Sequence, residues 1–455
     1  MTTMEYEMKN VDESLMKDVS PELLPTKERI MDKLSYFAAF MGGCVSIGTF
    51  SMGASLIGIL NLTQAIVAMA IGCGVIAIAL VLAGAAGHKY GIPFTIQARS
   101  SFGSLGVQLP GLLRGIPAIV WFGFQSWVGA GALNITLRTL TGFDNLPVIF
   151  VLFTALQVVL AINGFHGIKW LENIAVVFII GALGYMFYTV YTKYGVEVAA
   201  TITNIEGTWG LPFWGGTTAF LGIYATMILN ASDYSRELVK KSRPSTTGMI
   251  YMFAILPATL FMGLIGLMVS GATGSNDPVV VFSTAIDNQF LTVITLVFVA
   301  FAQVTTNVLN NIVPPVYVLM NSFKISYKKA VVIVGMLSIM SFPWLLVREE
   351  SAAGLSLFVQ IYSAFLGPIF SVLIVDYFLL RKKKLDLNDY YDMEGPFKGI
   401  NWAGVAAIAV GSIISLFFVQ VSWYASLIPT GLIYYYLMKN WDKAASFRKG
   451  TIFES

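Results

Sequence analysis

Charge is what this sequence has least of. Asp, Glu, Lys and Arg make up 12% of its 455 residues, about half the ~25% of an ordinary soluble domain. So light a load over so long a chain excludes water as the solvent for most of it, and 56% hydrophobic residues point to lipid. Cysteine is nearly absent: Cys44 and Cys73 both lie in apolar runs, which excludes a disulfide framework and a thiolate metal cluster. The two histidines, His88 and His166, stand far apart at the edges of expected loops. No convergent nucleophiles, bases or metal ligands are legible, so the chain does not read as an enzyme and needs no organic cofactor. The net charge of +3 gives no sign of a nucleic-acid partner. Short alternating strands are lacking too, which excludes a membrane barrel.

What is present is a series of long apolar runs. Residues 1–33 are polar, without the apolar core of a secretory signal, and read as a cytoplasmic tail. Twelve runs follow, each near the ~20 residues that cross a bilayer as a helix. Span 1 is expected at 34–57, span 2 at 63–84, span 3 at 110–133 and span 4 at 146–163. Span 5 is expected at 174–191, span 6 at 215–232, span 7 at 249–269 and span 8 at 291–319. Span 9 falls at 330–346, span 10 at 355–380, span 11 at 403–419 and span 12 at 423–438. The chain thus divides into a tail (1–33), spans 1–5 (34–193), spans 6–10 (214–380), a basic loop (381–401), spans 11 and 12 (402–438) and a second tail (439–455).

Charge placement supports this count. With both termini inside, 25 of the 28 basic residues fall on the inner side, and only Arg138, Lys193 and Arg348 fall outside. The basic blocks 240–243 and 381–384 read as topology determinants beside anionic membrane lipid. Asp233 and Asp376 lie near span ends, where they read as structural with Arg236, and Glu172 lies near the start of span 5. Pumps and voltage sensors keep such groups at mid-membrane. Their scarcity there points to a neutral solute held by amides, hydroxyls and aromatics.

Four spans carry the candidate chemistry. Span 1 holds Gly42, Gly43, Ser46, Gly48 and Thr49, small residues that either pack helices closely or let backbone carbonyls turn toward a cavity. Span 6 has Gly222 at its middle, with Thr217, Thr218 and Thr226 around it. Two glycine-interrupted spans five helices apart point to inverted repeats around a central site. In span 3, Trp121 and Gln125 share a helix face, a flat ring beside a primary amide; this suits a planar heterocycle, or packing. Span 8 crowds Gln303, Thr305, Thr306, Asn307, Asn310 and Asn311 before Pro314 and Pro315. The group is either an interhelical hydrogen-bond network or a site. The two adjacent threonine oxygens, with carbonyls from an unwound span 1, would make a cage for a small hard cation.

These residues resemble the nucleobase–cation symporter family 1. The resemblance rests on KYGIPFTIQARSSFG at 89–103, WFGFQSWVGA at 121–130, NASDYSR at 230–236, TTNVLNN at 305–311 and GPIFSVLIVDYFLLRKKKLDLNDYY at 367–391, in that order. It implies an all-α integral membrane fold: a leucine-transporter-like 5+5 inverted repeat plus two C-terminal helices, with helices 1 and 6 broken. It implies alternating access and import of a planar heterocycle such as uracil, cytosine, a purine, allantoin or a hydantoin. By the resemblance, Trp121 stacks on the substrate, Gln125 and Asn311 bond its edge, Gly222 offers backbone contacts at a break in span 6, and Ser46 lies nearby. For sodium, it implies carbonyls from Gly42, Val45 and Ala302 and hydroxyls from Thr305 and Thr306. One position departs: where some relatives carry a second tryptophan after the span 6 glycine, this chain has Ile223. Phe220 or Tyr224 is a conceivable replacement, although an intact helix would turn Tyr224 elsewhere. The expected machine is a sodium symporter of the cytoplasmic membrane, working as a monomer. A proton-coupled permease, a vitamin-precursor carrier and, more remotely, a channel remain as alternatives.

Overall fold

The computed structural model describes residues 12–17, 19–162, 184–185, 187–189, 191–196, 200, 202, 204–239, 242–273, 279, 288–346 and 351–454. Among them the regular structure is helical, apart from an isolated β-bridge between Met31 and Leu238. Span 1 is two helices, Lys33–Cys44 and Ile47–Ala54, and span 2 is Leu62–Ala83. Span 3 is Gln108–Thr141 and span 4 Leu146–Ala161. Span 6 is Leu211–Leu229, followed by a short helix Ala231–Ser235, and span 7 is Pro244–Thr273. Span 8 runs through Gln289–Thr306, a π-helical turn Asn307–Ile312 and Val313–Phe323. Span 9 is Tyr327–Met340, and span 10 is Ser351–Ile374 continued by the π turn Val375–Leu380. Spans 11 and 12 are Trp402–Phe417 and Ser422–Asn440. Most of span 5, with Glu172, His166, Lys169, Lys240, Lys241 and Arg348, lies outside the described residues.

Six of the described helices are long and apolar enough to cross a bilayer unaided, and two bent pairs pass the same test together. Their outer faces carry Ile78, Ile116, Phe253, Ile428 and Leu432, all more than half exposed, as a lipid-facing surface requires. Helix starts are written into the sequence. Asp32 accepts from the Ser35 N–H at 2.8 Å to cap span 1, and Asn61 and Gln64 form a reciprocal capping box at span 2.

Three expectations need correction. The break in span 1 is not at the glycine pair: Gly42 and Gly43 are helical, and the chain leaves helical geometry at Val45 (ψ 83°) and Ser46 (φ −131°, ψ 152°). The two halves meet at 49°. Span 6 is continuous through Gly222, and its interruption falls at Asn230, where φ is −90° and ψ 13°. A glycine permits a break, but only unmet backbone groups with other partners enforce one. Finally, Arg114, one of the 25 basic residues assigned to the inner side although it falls within the expected span 3, is held in the helix and not in a solvated loop. Span 3 has 34 residues, roughly 51 Å at 1.5 Å per residue. It overshoots the ~30 Å apolar core and carries Arg114, fully buried, inside the bundle. The Arg114 guanidinium donates to the Asn310 carbonyl at 2.9 Å. Pro314 has no N–H to return to that carbonyl, four residues behind it.

The inner ends of spans 10 and 12 are pinned by one buried ion pair. Arg381 donates to Asp376 Oδ2 at 2.8 Å, Ser100 donates to the same oxygen at 2.6 Å, and the Tyr434 hydroxyl donates to Oδ1 at 2.9 Å. The guanidinium also reaches the carbonyls of Phe447 and Lys449. Removing one partner of such a pair leaves the other charge buried and unpaired, at a cost of about 3–5 kcal/mol. Asp376→Ala is therefore expected to lower the unfolding midpoint of the detergent-purified protein sharply. A midpoint equal to that of the parent would show that the pair carries no stability.

Candidate substrate and cation sites

The break in span 1 leaves four successive carbonyls, residues 42–45, with side-chain partners from elsewhere. The Thr306 hydroxyl lies 3.2 Å from Gly42 O and 3.2 Å from Val45 O, and 2.9 Å from Ala302 O in its own helix. The Asn310 amide donates to Gly43 O at 3.1 Å. Cys44 O accepts from Thr49 Oγ1 at 3.3 Å and from the Tyr224 hydroxyl at 3.4 Å. Ser46 caps the second half of the span, accepting from the Thr49 N–H at 3.3 Å.

Thr306 has one hydroxyl proton, and three carbonyl oxygens surround it. It can donate to one at a time, so the other two contacts set oxygen against oxygen. Thr305 Oγ1 adds a fifth oxygen at 3.0 Å from Ala302 O. A cluster of neutral oxygens short of protons fits a small hard cation. Gly42, Val45, Ala302, Thr305 and Thr306 are thus in one place. Among the described residues no group of three His, Cys, Asp or Glu could hold a metal ion.

Beside the cage lies a cavity of about 20 Å³. Its walls come from span 1 (Gly43, Ser46), span 3 (Trp121, Gln125), span 6 (Ile223, Tyr224) and span 8 (Thr306, Asn311). It has room for about one water, so a heterocycle requires the walls to part. Gln125 Oε1 is buried without a partner, an acceptor whose desolvation nothing in the closed cavity offsets. Asn311 donates to Asn307 Oδ1 at 2.8 Å, and Asn307 donates to Gln157 Oε1 at 2.8 Å. Gln157 donates in turn to Ser126 at 3.0 Å. The polar run of span 8 is therefore both an interhelical network and a cavity wall. Its π turn, where the ladder is locally widened, coincides with the site.

Gly222 does not line the cavity. A Cβ there would meet Val359 Cγ1 at 2.5 Å and Ser363 Oγ at 2.7 Å, so the glycine serves the approach of span 10. Its carbonyl accepts from the Tyr362 hydroxyl at 3.0 Å, and that hydroxyl accepts from Trp121 Nε1 at 3.2 Å. Tyr362 thus ties the indole to the span 6 backbone, a role sequence reading missed because a lone tyrosine in an apolar run looks like packing. Gly48 is tight against the same ring: a Cβ there would lie 2.8 Å from Trp121 Cη2. Tyr224 does reach the site on an intact helix, bonding Thr49 and Thr259 at 3.1 and 2.9 Å, whereas Phe220 does not line the cavity.

Residues 23–438 match the model of a family described as permeases for cytosine/purines, uracil, thiamine and allantoin. The chain belongs to this permease family. A hydantoin permease from Microbacterium maritypicum is 28% identical over 434 residues, spanning 91% of this permease and 88% of the relative. The solved structure of Mhp1, a nucleobase-cation-symport-1 family transporter in a closed conformation with bromovinylhydantoin bound, superposes with a TM-score of 0.86 at 26% identity. It covers 95% of this chain and 99% of that one. The inward-facing form of Mhp1 gives 0.80, in keeping with the closed cavity here. A sodium-coupled sialic acid symporter, 12% identical, covers 93% of each chain with a TM-score of 0.63 and shares the fold alone. The permease is thus a multi-pass membrane transporter with the leucine-transporter-like fold, and not an enzyme.

The Tyr362 bridge makes a sharp prediction. Tyr362→Phe frees the indole N–H and removes the second donor from Gly222 O, which keeps its place in the helical ladder. At ~1 kcal/mol for one hydrogen bond, heterocycle affinity measured by calorimetry is expected to fall about fivefold with a nearly unchanged unfolding midpoint. Unaltered affinity would mean that the ring is oriented without the bridge.

Proposed function

We propose that this permease imports a small planar heterocycle with amide-like edges, by alternating access, in symport with sodium. The observation that carries this reading is the five-oxygen cage sharing Thr306 with the cavity wall that holds Trp121, Gln125 and Asn311. A cation drawing Gly42 O, Val45 O and the span 8 oxygens together fixes the span 1 break against span 8. That is the wall a substrate touches, so each ligand favours the conformation that binds the other, and the coupling is reciprocal. In this reading Trp121 stacks on the ring, and Gln125 Oε1 accepts from a ring N–H. Asn311 bonds the ring edge, Ser46 lies beside it, and Gly222 acts through Tyr362. In this reading the working unit is the monomer. The distribution of basic residues supports both termini on the cytoplasmic side of the cell membrane.

The test is thermal stabilisation of purified permease by nucleobases, allantoin and hydantoins, each in sodium and in choline. One heterocycle is expected to stabilise it, and more so in sodium. Equal stabilisation in choline would move the coupling ion to the proton. No response from any ring would end the heterocycle reading. Thr306→Ala removes an oxygen from the cage. With ~1.5–3 kcal/mol for a bond to a charged group, the sodium needed for half-maximal stabilisation is expected to rise by roughly tenfold or more. An unchanged sodium dependence would remove the cage from the mechanism.

Ile223 narrows the substrate. It lines the cavity with an aliphatic side chain, so a bulky aromatic substituent finds no second flat ring there. Small rings are expected to compete for binding better than benzyl-substituted hydantoins, and Ile223→Trp is expected to reverse the order. Equal competition by both classes in the parent protein would sink this proposal.

A further inference from the structure

A second cavity, of about 440 Å³, lies at the basic end of the bundle between spans 2, 7 and 10. It shares no lining residue with the substrate cavity, and its volume falls in the ~300–1,000 Å³ range of ligand pockets. The walls are apolar, built from Leu80, Val81, Leu82, Tyr251 and Phe378. The rest of the lining is not: it includes Lys89, Lys383, His88 and Ser242. Lys89 Nζ donates to the Lys383 carbonyl at 3.0 Å and to the Tyr90 hydroxyl at 2.8 Å. Lys383 Nζ lies over the Phe378 ring, 5.2 Å from its centre. No carboxylate forms an ion pair with either ammonium among the described residues.

Basic residues at an inner loop ordinarily do no more than fix topology. Two observations go further. Ser242 Oγ is buried without a partner, on a residue only 7% exposed, and His88 Nε2 is buried without one as well. Buried polar atoms in a cavity wall are costly unless something bonds them. Burial and the neighbouring Arg29 also hold the His88 imidazole below its ordinary pKa, against the opposing pull of a bond to the Val239 backbone. The positive charge in the lining is therefore the lysines'.

An occupant must offer an anion to two ammoniums and a hydroxyl, and an apolar chain to the walls. We propose that this cavity binds one phospholipid with an anionic headgroup, its phosphate between Lys89, Lys383 and Ser242 Oγ and an acyl chain along Leu80, Val81 and Phe378. The ligand bridges spans 2, 7 and 10, and so stabilises their packing at the end where the chain of span 6 leaves the bundle.

The experiment uses delipidated full-length permease in detergent, doped with phosphatidylglycerol or with phosphatidylcholine of the same acyl chains. Phosphatidylglycerol is expected to raise Tm more than phosphatidylcholine and to stay bound in native mass spectrometry. Lys89→Gln and Lys383→Gln are each expected to weaken retention about fivefold. Ala85→Phe, which fills the cavity and keeps the charge, is expected to abolish it. Stabilisation by the heterocycle and sodium is expected to persist in all three variants, which shows that they are folded. Equal response to the two headgroups, or retention indifferent to all three substitutions, would overturn the proposal. So would displacement of the lipid by glycerol phosphate at the same concentration, because a site satisfied by the headgroup alone has no use for the apolar walls.

Discussion

A backbone carbonyl inside a bilayer must find a partner in the protein, and at the break in span 1 the carbonyls of residues 42–45 lose their regular helical donors, only Gly42 O and Cys44 O keeping a backbone N–H, from Val45 and Ser46. Everything near the two sites answers that constraint. Thr306 lies beside two of the carbonyls, Asn310 meets the third, and Thr49 and Tyr224 meet the fourth. Because the partners come from spans 6 and 8 as well as span 1, the break fastens the two halves of the bundle to each other. The same demand explains the polarity of span 8. Its amides run from the cavity through Asn311, Asn307 and Gln157 to Ser126, so a row that would be ruinous against lipid is satisfied at nearly every step.

The placing of the described spans was legible because length and hydropathy are set by the bilayer itself, one span at a time. Spans 2, 4, 11 and 12 begin within one residue of where the apolar run places them. The interior was less legible, because what decides it is a relation between spans. Glycines were read as points of interruption, and the structure uses them for approach: Gly43 to Asn310, Gly48 to Trp121, Gly53 to Gly263 O, Gly222 to Val359. The interruptions themselves fall at Val45–Ser46 and at Asn230, non-glycine residues whose neighbours supply the missing partners.

The candidate residues show the same division. The adjacent threonines of span 8 were readable as oxygen donors from their own chemistry. That they would meet carbonyls of a broken span 1 was readable too, but which carbonyls, Gly42 and Val45, could be expected only through the family resemblance. Tyr362 carried no local signal at all, and Tyr224 was named only as a replacement for the absent tryptophan, with its direction misjudged. Arg114 was misplaced because a charge near a run's start looks like loop, and only the length of span 3 and the Asn310 carbonyl freed by Pro314 explain its burial.

The size of the closed substrate cavity has a consequence for hydrated ions. A space that admits about one water cannot shelter a file of them. At this point of the bundle, among the described residues, there is no room for hydrated ions to line up. The tight fit of Trp121 against Gly48 and of Asn310 against Gly43 keeps the space that small, and a methyl group on either glycine would force its neighbour to move.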